Sequence, residues 1–576
     1  MSDAADIQTR NTEDATSSRI SSNNNPEAVA SNDASAVLPT PTNQDETAGD
    51  DAATDTEKPK KKAVRRIVRR KKGGSKRRGK DDDSDVVDPI LLEKVMVESN
   101  LPKAYSFEIV KTLKRINQIL QAKQQQLLHQ NESNQTPSEG DGDGANQQQQ
   151  EQQTKVQNRS SSVHIALQMP EGLLLYATVL SDVLQRLVAA TNKMPTNKRS
   201  DQQQQQQPLL RVSVLGDVTY GACCVDDLGA RALGCDLLVH YGHSCLVPIQ
   251  HTAIPCLYVF VEITIDVPHL VECFHRTMLA ENERTTTTTT EEGGIFGGSK
   301  PHVYLMGTIQ FRHALMEARR LLRSEPYEYE ITIPQAKPLS PGEVLGCTSP
   351  VLASSATTPG SEQAVVLFVA DGRFHLESTM ISNPLISRFY RYDPYPKTLT
   401  EESYDHTKMK NLRYEAIEKA RRKIQAKKQQ QQNGRPAVFG IILGTLGRQG
   451  NPALLTKLQN QLRKHGLKSF VILASEITPS KLALFRTKVD AWVQIACPRL
   501  SVDWGHHLSG DSSVPVLNPY ELFVCLDPKL WRGGDDRSYP MDYYSQDGGP
   551  WSNYGDTDNK GRRYTIAARE GCAAAV

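Results

Sequence analysis

From about residue 88 to 530, short apolar runs alternate with stretches whose apolar positions recur every three or four residues. VHIALQMP (163–170), RVSVLG (211–216), LLVHYG (237–242) and IPCLYVFVEI (254–263) have the length and β-branched content of buried strands. LLLYATVLSDVLQRLVAA (173–190) carries a helical apolar stripe, and a short helix is expected over 226–233. PILLEKVMVESN (89–100) and FEIVKTLKRINQILQAKQQQLL (107–128) precede them with helical spacing. A second region runs strand 302–310, helix 311–324, strand 328–335, a Pro- and Gly-punctuated loop 338–350, and a strand ending at Asp371-Gly372-Arg373. A third opens with a charged helix (about 400–428). The strand AVFGIILG then enters a glycine turn, and helix 451–466 stops at Gly466. Strand 468–477, short helix 479–485, strand 490–497 and the closing segment 514–522 follow. Alternating strands and helices imply parallel sheets. The second and third regions share strand, Gly-Thr, helix, second strand and a later cysteine, and the first resembles them loosely. The pattern therefore predicts three related parallel-sheet α/β domains, over 88–270, 271–395 and 396–530.

Polar tracts interrupt this pattern. Gln- and Asn-rich sequence fills about 123–160 and 191–208, and a Thr-rich stretch fills about 281–299. A further Gln run covers 427–434. Each splits a structured run, as a surface insertion does. Residues 1–87 hold few large apolar side chains and are expected to be a disordered tail. That tail carries a basic run at 58–80, followed by DDDSD. The run reads either as a nuclear-localisation or RNA-touching patch or as a solvated, charge-balanced segment. The tail 531–576 is rich in Tyr, Trp and Gly, and its pattern leaves open whether it wraps the body or docks a partner. The net charge of +2 argues against nucleic acid as the main partner. Ten cysteines without regular spacing suit a reducing compartment. No apolar run approaches the roughly 20 residues of a membrane span, and no apolar signal core opens the chain. A cytoplasmic protein without a membrane partner is the expectation.

The chemistry gathers around 216–248, which holds four of the cysteines. A Gly-Ala-Cys turn just past a strand lifts Cys223 to the strand's carboxyl end, where open α/β sheets bind ligands. Cys347, in Gly-Cys-Thr-Ser-Pro, and Cys497, in Ala-Cys-Pro-Arg, offer one thiol each from the other two regions. Structural zinc takes four protein ligands, often in paired knuckles, and this chain has no knuckle. Three thiolates suit an iron–sulfur cluster with one iron left open for a substrate. Buried apolar packing is the competing role for the same cysteines. Cys224 and Cys245 are alternatives to Cys223, whereas Cys235, Cys256, Cys273 and Cys525 read as core. The turn Gly444-Thr445-Leu446-Gly447-Arg448-Gln449-Gly450 lies between strand and helix. It is neither a dinucleotide nor a phosphate loop, and serves an anion at the helix N-terminus or simply a tight turn.

The runs ALQMPEGLL, GDVTYGACCVDD, RALGCDLLVHYGHSCLVP, KPLSPGEVLGCTSP, DGRFHLES, RYDPY, ILGTLGRQGNP, SEITPSKLALF and ACPRLSVDWG closely resemble the diphthamide biosynthesis protein 1 family. They cover nearly all of residues 160–525, and YPMDYY in the tail is similar too. The resemblance implies the first subunit of 2-(3-amino-3-carboxypropyl)histidine synthase. It implies a 4Fe-4S cluster held by Cys223, Cys347 and Cys497, and S-adenosylmethionine as substrate. The 3-amino-3-carboxypropyl group would pass by a radical route to a histidine of elongation factor 2, releasing methylthioadenosine. A second synthase subunit in a heterodimer and a small iron-binding electron donor are the implied partners, with no direct nucleic-acid role. Pro170, Glu171, Gly172, Gly444, Thr445, Gly447, Arg448 and Gly450 are candidates to shape the cofactor pocket. On that view a bulky residue at Gly447 weakens S-adenosylmethionine binding and spares the cluster. The alternative is a non-catalytic scaffold whose cysteines bind zinc or pack, supporting a catalytic partner.

Overall fold

The computed structural model describes residues 87–133, 162–192, 209–288, 301–352, 364–429 and 435–553. Val218, Tyr220, Cys245, Pro248, Arg486 and the stretches 510–513, 535–536 and 544–548 are excepted. The described residues all belong to one compact unit, Gly79–Val576. The expected disordered tail (but for residue 87) and Cys245 and Cys572 lie outside the described residues.

Parallel pairing builds three sheets. In the first, strands Val163–Gln168, Leu210–Val214, Leu237–Tyr241 and Cys256–Val259 lie in the spatial order second, first, third, fourth. The third sheet repeats that order with Val438–Gly444, Lys468–Ala474, Ala491–Ile495 and Val516–Leu517. The second sheet has it in His302–Gly307, Glu330–Thr332, Ala364–Val369 and Arg388–Asp393. It adds an antiparallel edge strand, Thr398–Glu402. The three parallel-sheet α/β domains expected from the pattern are therefore present, and all three wind alike. In this order the chain reverses direction between the first and third strands, which opens a crevice at their carboxyl ends.

Where elements differ from the pattern, local chemistry explains it. The charged helix starts at His406, not near 400, because Thr398–Glu402 pairs with Arg388–Asp393 first. Asp405 then caps the new helix, its Oδ1 accepting from the Lys408 N–H at 2.8 Å. The expected insertions begin late. Helix Ile109–Ser133 runs well into the first Gln tract, and His406–Gln429 runs into the last one. Gln and Lys are good helix formers, so a helix that is already nucleated continues through them. Four helices escaped the pattern: Val267–Thr288, Phe374–Ser382, Pro498–Ser509 and Pro519–Leu526. The first of these crosses the expected boundary at 270 and packs on the second sheet, whose last strand lies beyond 395.

The first sheet's core shows how burial holds each domain. All six residues of Val163–Gln168 are buried, as in a strand covered on both faces. Leu113, Ile116, Leu180, Leu184 and Leu187 press on it from two helices with no exposed surface. The third domain adds a buried ion pair. Arg413 forks onto Glu521 at 2.6 Å for both nitrogens, and Tyr539 donates to the same carboxylate at 2.5 Å. Tyr539, Met541, Tyr543 and Trp551 are buried in this core, so the described part of the aromatic tail wraps the body. Leu184→Ala is expected to cost about 2–5 kcal/mol, the usual loss for a large-to-small change in a sealed core. Urea unfolding checks it; a loss below about 1 kcal/mol would mean the helix is not anchored there.

Candidate functional site

Each cysteine of interest stands at the carboxyl end of a strand. Cys223 lies in the short turn Ala222–Cys224, after the second strand of the first sheet. Cys347 follows the second strand of the second sheet, but Cys497 follows the third strand of the third. The cysteine is thus not at one repeat position, although the strand order is common to all three sheets. Cys497 immediately precedes helix Pro498–Ser509, whose Pro498 suits a first helical position.

The thiols feel one another. The Cys223 thiol is pushed well up, first by its hydrogen bond with Cys224, then by burial and by charge on Cys224, Cys347 and Cys497. Burial pushes Cys347 well up, and Cys497 adds to it. Burial pushes Cys497 up to about 11, opposed by the Arg499 backbone N–H and raised further by Cys224. The three candidate ligands therefore stand within electrostatic reach of one another and of Cys224, all as free thiols, Cys223 and Cys224 buried and Cys347 and Cys497 half-buried. Thiols whose ionisation is held back by their surroundings and by one another are the donor set a cationic centre would reverse. Among the described residues no three His, Cys, Asp or Glu side chains are arranged to hold a single ion. Thiolates on a cluster stand further apart than ligands sharing one ion, since each holds a different iron. The donor set fits a thiolate-held cluster on these grounds.

Two arginines of the third domain tie the loops together. Arg448 forks onto Asp227 of the first domain at 2.8 and 2.6 Å, and its backbone N–H donates to the Cys223 carbonyl at 2.8 Å. Asp227 has no exposed surface. Beside it, Gln449 donates from Nε2 to Cys224 Sγ at 3.2 Å. From below, Gln168 donates to the Cys224 carbonyl at 2.8 Å and accepts from the Asp226 N–H at 3.1 Å. Arg499, two residues after Cys497, reaches the second domain. Its guanidinium donates to the Gly346 carbonyl at 3.2 Å and the Phe374 carbonyl at 2.8 Å, and pairs with Glu377. It also lies 4.3 Å from the centre of the Phe374 ring and pairs with Asp503 at 2.8 Å. A Cβ at Gly346 would sit 2.0 Å from that ring, so only glycine fits beside Cys347.

The pocket candidates divide. Gly447 has φ +57°, and a Cβ there would stand 2.4 Å from the Cys224 carbonyl carbon. A bulky side chain at Gly447 therefore meets the backbone of the cysteine turn first. Arg448 is committed to Asp227. Gly444, Thr445 and Gly450 form the rest of the turn, with the Thr445 N–H donating to the Ala474 carbonyl at 3.0 Å. Pro170 caps the short helix Glu171–Leu174, and Glu171 and Gly172 are exposed. Cys235 and Cys525 are buried, with thiols pushed up to about 11 and about 12 by burial. Asp227, Gln168, Gln449 and Glu377 carry no signal of their own in the sequence. Asp227 and Arg499 stand within motifs that do, but only the fold reveals their partners. The tail also reaches the site, since charge on Asp542 raises the Cys347 thiol and charge on Cys347 raises Tyr543.

Fold and site together define an α/β protein of three like-wound sheets whose loops carry thiols within electrostatic reach of one another. The family model for diphthamide synthesis proteins matches residues 169–536. 2-(3-Amino-3-carboxypropyl)histidine synthase subunit 1 of Dictyostelium discoideum is 42% identical over 399 residues, 69% of this chain and 71% of that one. The mouse (Mus musculus) protein of the same name is 46% identical over 395 residues, 68% and 74% of the two chains. The Caenorhabditis elegans protein is 44% identical over 68% and 83%. The solved structure of Dph2 from Pyrococcus horikoshii with a 4Fe-4S cluster is similar at TM-score 0.44 and 24% identity, covering 67% of this chain and 92% of that one. The chain belongs to the diphthamide synthesis family, and its curated relatives are transferases of diphthamide biosynthesis. Among the described residues no helix is long and apolar enough to cross a membrane.

Arg448→Met is expected to leave the Asp227 carboxylate buried without its counter-charge, holding only the Ala253 N–H, at about 3–5 kcal/mol. Adding Asp227→Asn should recover part of that loss. Urea unfolding of the wild type, the single and the double variant measures both; an Arg448→Met protein as stable as wild type would remove the clamp from the account.

Proposed function

We propose that this chain is the cluster-bearing subunit of a 2-(3-amino-3-carboxypropyl)histidine synthase acting on elongation factor 2. What supports this reading is that Cys223, Cys347 and Cys497, one from each domain, lie within electrostatic reach of one another. Such a site is costly to assemble unless the thiols share a ligand. The three thiolates would hold a 4Fe-4S cluster, three ligands for four irons leaving room for S-adenosylmethionine. When bound, the cluster would supply the one electron that reductive cleavage of the carbon–sulfur bond needs, and the imidazole would give one electron and one proton back when it rearomatises after the transfer. The transfer as a whole forms one carbon–carbon bond to the histidine imidazole and releases one proton.

The chain's own residues give this chemistry its setting. Gln168, Gln449 and Arg448 fix the Cys223–Cys224 turn, and Arg499 fixes the Cys347 loop against the Cys497 helix. Apolar Ala222, Leu246, Leu339, Leu345 and Leu446 pack around the cysteine turn and exclude water from it. The words "subunit 1" in the relatives' names support a second synthase subunit as partner. A small iron protein as electron donor and a cytoplasmic setting complete the reading.

The test is made on protein co-expressed with its second subunit and purified without oxygen. Iron and sulfide are determined, and the reduced protein's paramagnetic resonance spectrum is recorded with and without S-adenosylmethionine. The wild type is expected to give a cubane signal that shifts with S-adenosylmethionine. Cys223→Ala, Cys347→Ala and Cys497→Ala are each expected to lose it. Zinc in place of iron, or a signal indifferent to all three changes, would leave the chain a scaffold for its partner.

A further inference from the structure

A second constellation lies along the seam between the first and second domains, and the transfer described above does not use it. Two side chains of the second domain grip the segment Gly242-His243-Ser244, at the carboxyl end of the first sheet's third strand. Gln310 donates from Nε2 to the Gly242 carbonyl at 3.1 Å. Glu343 accepts from Ser244 Oγ, and the Ser340 N–H reaches the same carboxylate oxygen at 2.9 Å. Gln310 follows the first strand of the second sheet, and Glu343 bridges that strand's last residue, Gly307. Both therefore stand at a crevice of the kind that binds ligands.

What these groups leave undone is informative. The other Glu343 oxygen, Oε1, is buried and has no hydrogen-bond partner. Gln310 Oε1 and His243 Nδ1 are in the same state. Glu343 is 2% exposed and His243 7%. Native proteins rarely leave such atoms unpaired, and three from two domains around one short segment point to an absent partner. Two of the three can only accept a hydrogen bond, and the neutral His243 ring can accept at its free nitrogen. Burial favours that neutral form, pushing the ring down to about 4 against a hydrogen bond to the Tyr241 backbone. His375 of the second domain lies within electrostatic reach of His243. The set borders the thiols: Leu246 and Leu345, each two residues from a gripping contact, pack against Cys223 and Cys224.

We propose that Glu343, Gln310 and His243 form a subsite for the ammonium of an α-amino-acid group. An ammonium carries three N–H donors and no acceptor, which matches three unpaired acceptors that two domains bring to one three-residue segment. The carboxylate supplies the opposite charge, so its contact is the strong one. Resting on the functional reading above, the ligand is S-adenosylmethionine, whose amino-acid end this subsite orients beside the thiols. Glu343 and Gln310 are then substrate-binding residues, and the second domain closes on the first domain through its substrate.

The test uses the full chain, co-expressed with its second subunit and purified without oxygen. Three probes are compared by equilibrium dialysis: S-adenosylmethionine, its analogue with hydrogen in place of the α-amino group, and methylthioadenosine. Glu343→Gln keeps an oxygen for Ser244 and Ser340 and turns the unpaired oxygen into a donor that opposes an ammonium. It is expected to weaken S-adenosylmethionine binding by about ten- to a hundredfold, the range of one charge-assisted hydrogen bond. Binding of the other two probes and the iron and sulfide content should stay as in wild type. Gln310→Met should discriminate in the same direction and serves if Glu343→Gln does not fold. Unchanged S-adenosylmethionine binding in a folded variant, or equal weakening of all three probes, overturns the subsite. So does a wild type that binds S-adenosylmethionine and its des-amino analogue alike. A wild type that binds none of the three fails the functional reading itself, and the subsite with it.

Discussion

The buried fork between Arg448 and Asp227 is the contact on which the site depends. It joins the glycine turn of the third domain to the cysteine turn of the first, and its carboxylate has no water to fall back on. A charge pair so placed is weak as a source of net stability but severe when broken, because one partner is left charged and dry. That asymmetry makes the two turns a single rigid piece. Arg499 performs the corresponding task toward the second domain, gripping the Gly346 carbonyl just before Cys347 and the carbonyl of Phe374. The third domain is thus the hub, and its two arginines set the positions of thiols that it does not itself supply.

Much of the fold was legible because parallel strands buried on both faces leave near-continuous apolar runs. Val163–Gln168 and Ala364–Val369 are of this kind, and a glycine or proline soon after each strand marks its end. The helices that escaped lack such signals. Phe374–Ser382 has one charged residue and a weak stripe, and its place is set by Leu376 and Met380 packing under the second sheet. Pro498–Ser509 begins on a proline that reads equally well as a turn. The polar tracts misled for a simpler reason: composition marks where a sequence is repetitive, not where a helix ends.

The site was legible in its thiols and not in their supports. Cys223, Cys347 and Cys497 stood out because each follows a strand within a glycine- or proline-rich turn. Gln168, Asp227 and Glu377 are ordinary polar residues in the sequence, and their roles exist only across domain boundaries. The same is true of Glu343 and Gln310, whose unpaired oxygens become visible once the second sheet is docked on the first. Gly447 carried a signal that pointed to the wrong neighbour: the turn needed glycine for the cysteine backbone it touches.

The claim at the centre is that three thiols from three domains hold one iron–sulfur centre. Anomalous scattering at the iron edge, from crystals of the oxygen-free protein, tests it most directly. The account predicts one compact iron peak reached by Sγ of Cys223, Cys347 and Cys497, with Cys224 still paired to Gln449. A peak that engages Cys224 in place of Cys223, or a centre that draws on fewer than three domains, would contradict it.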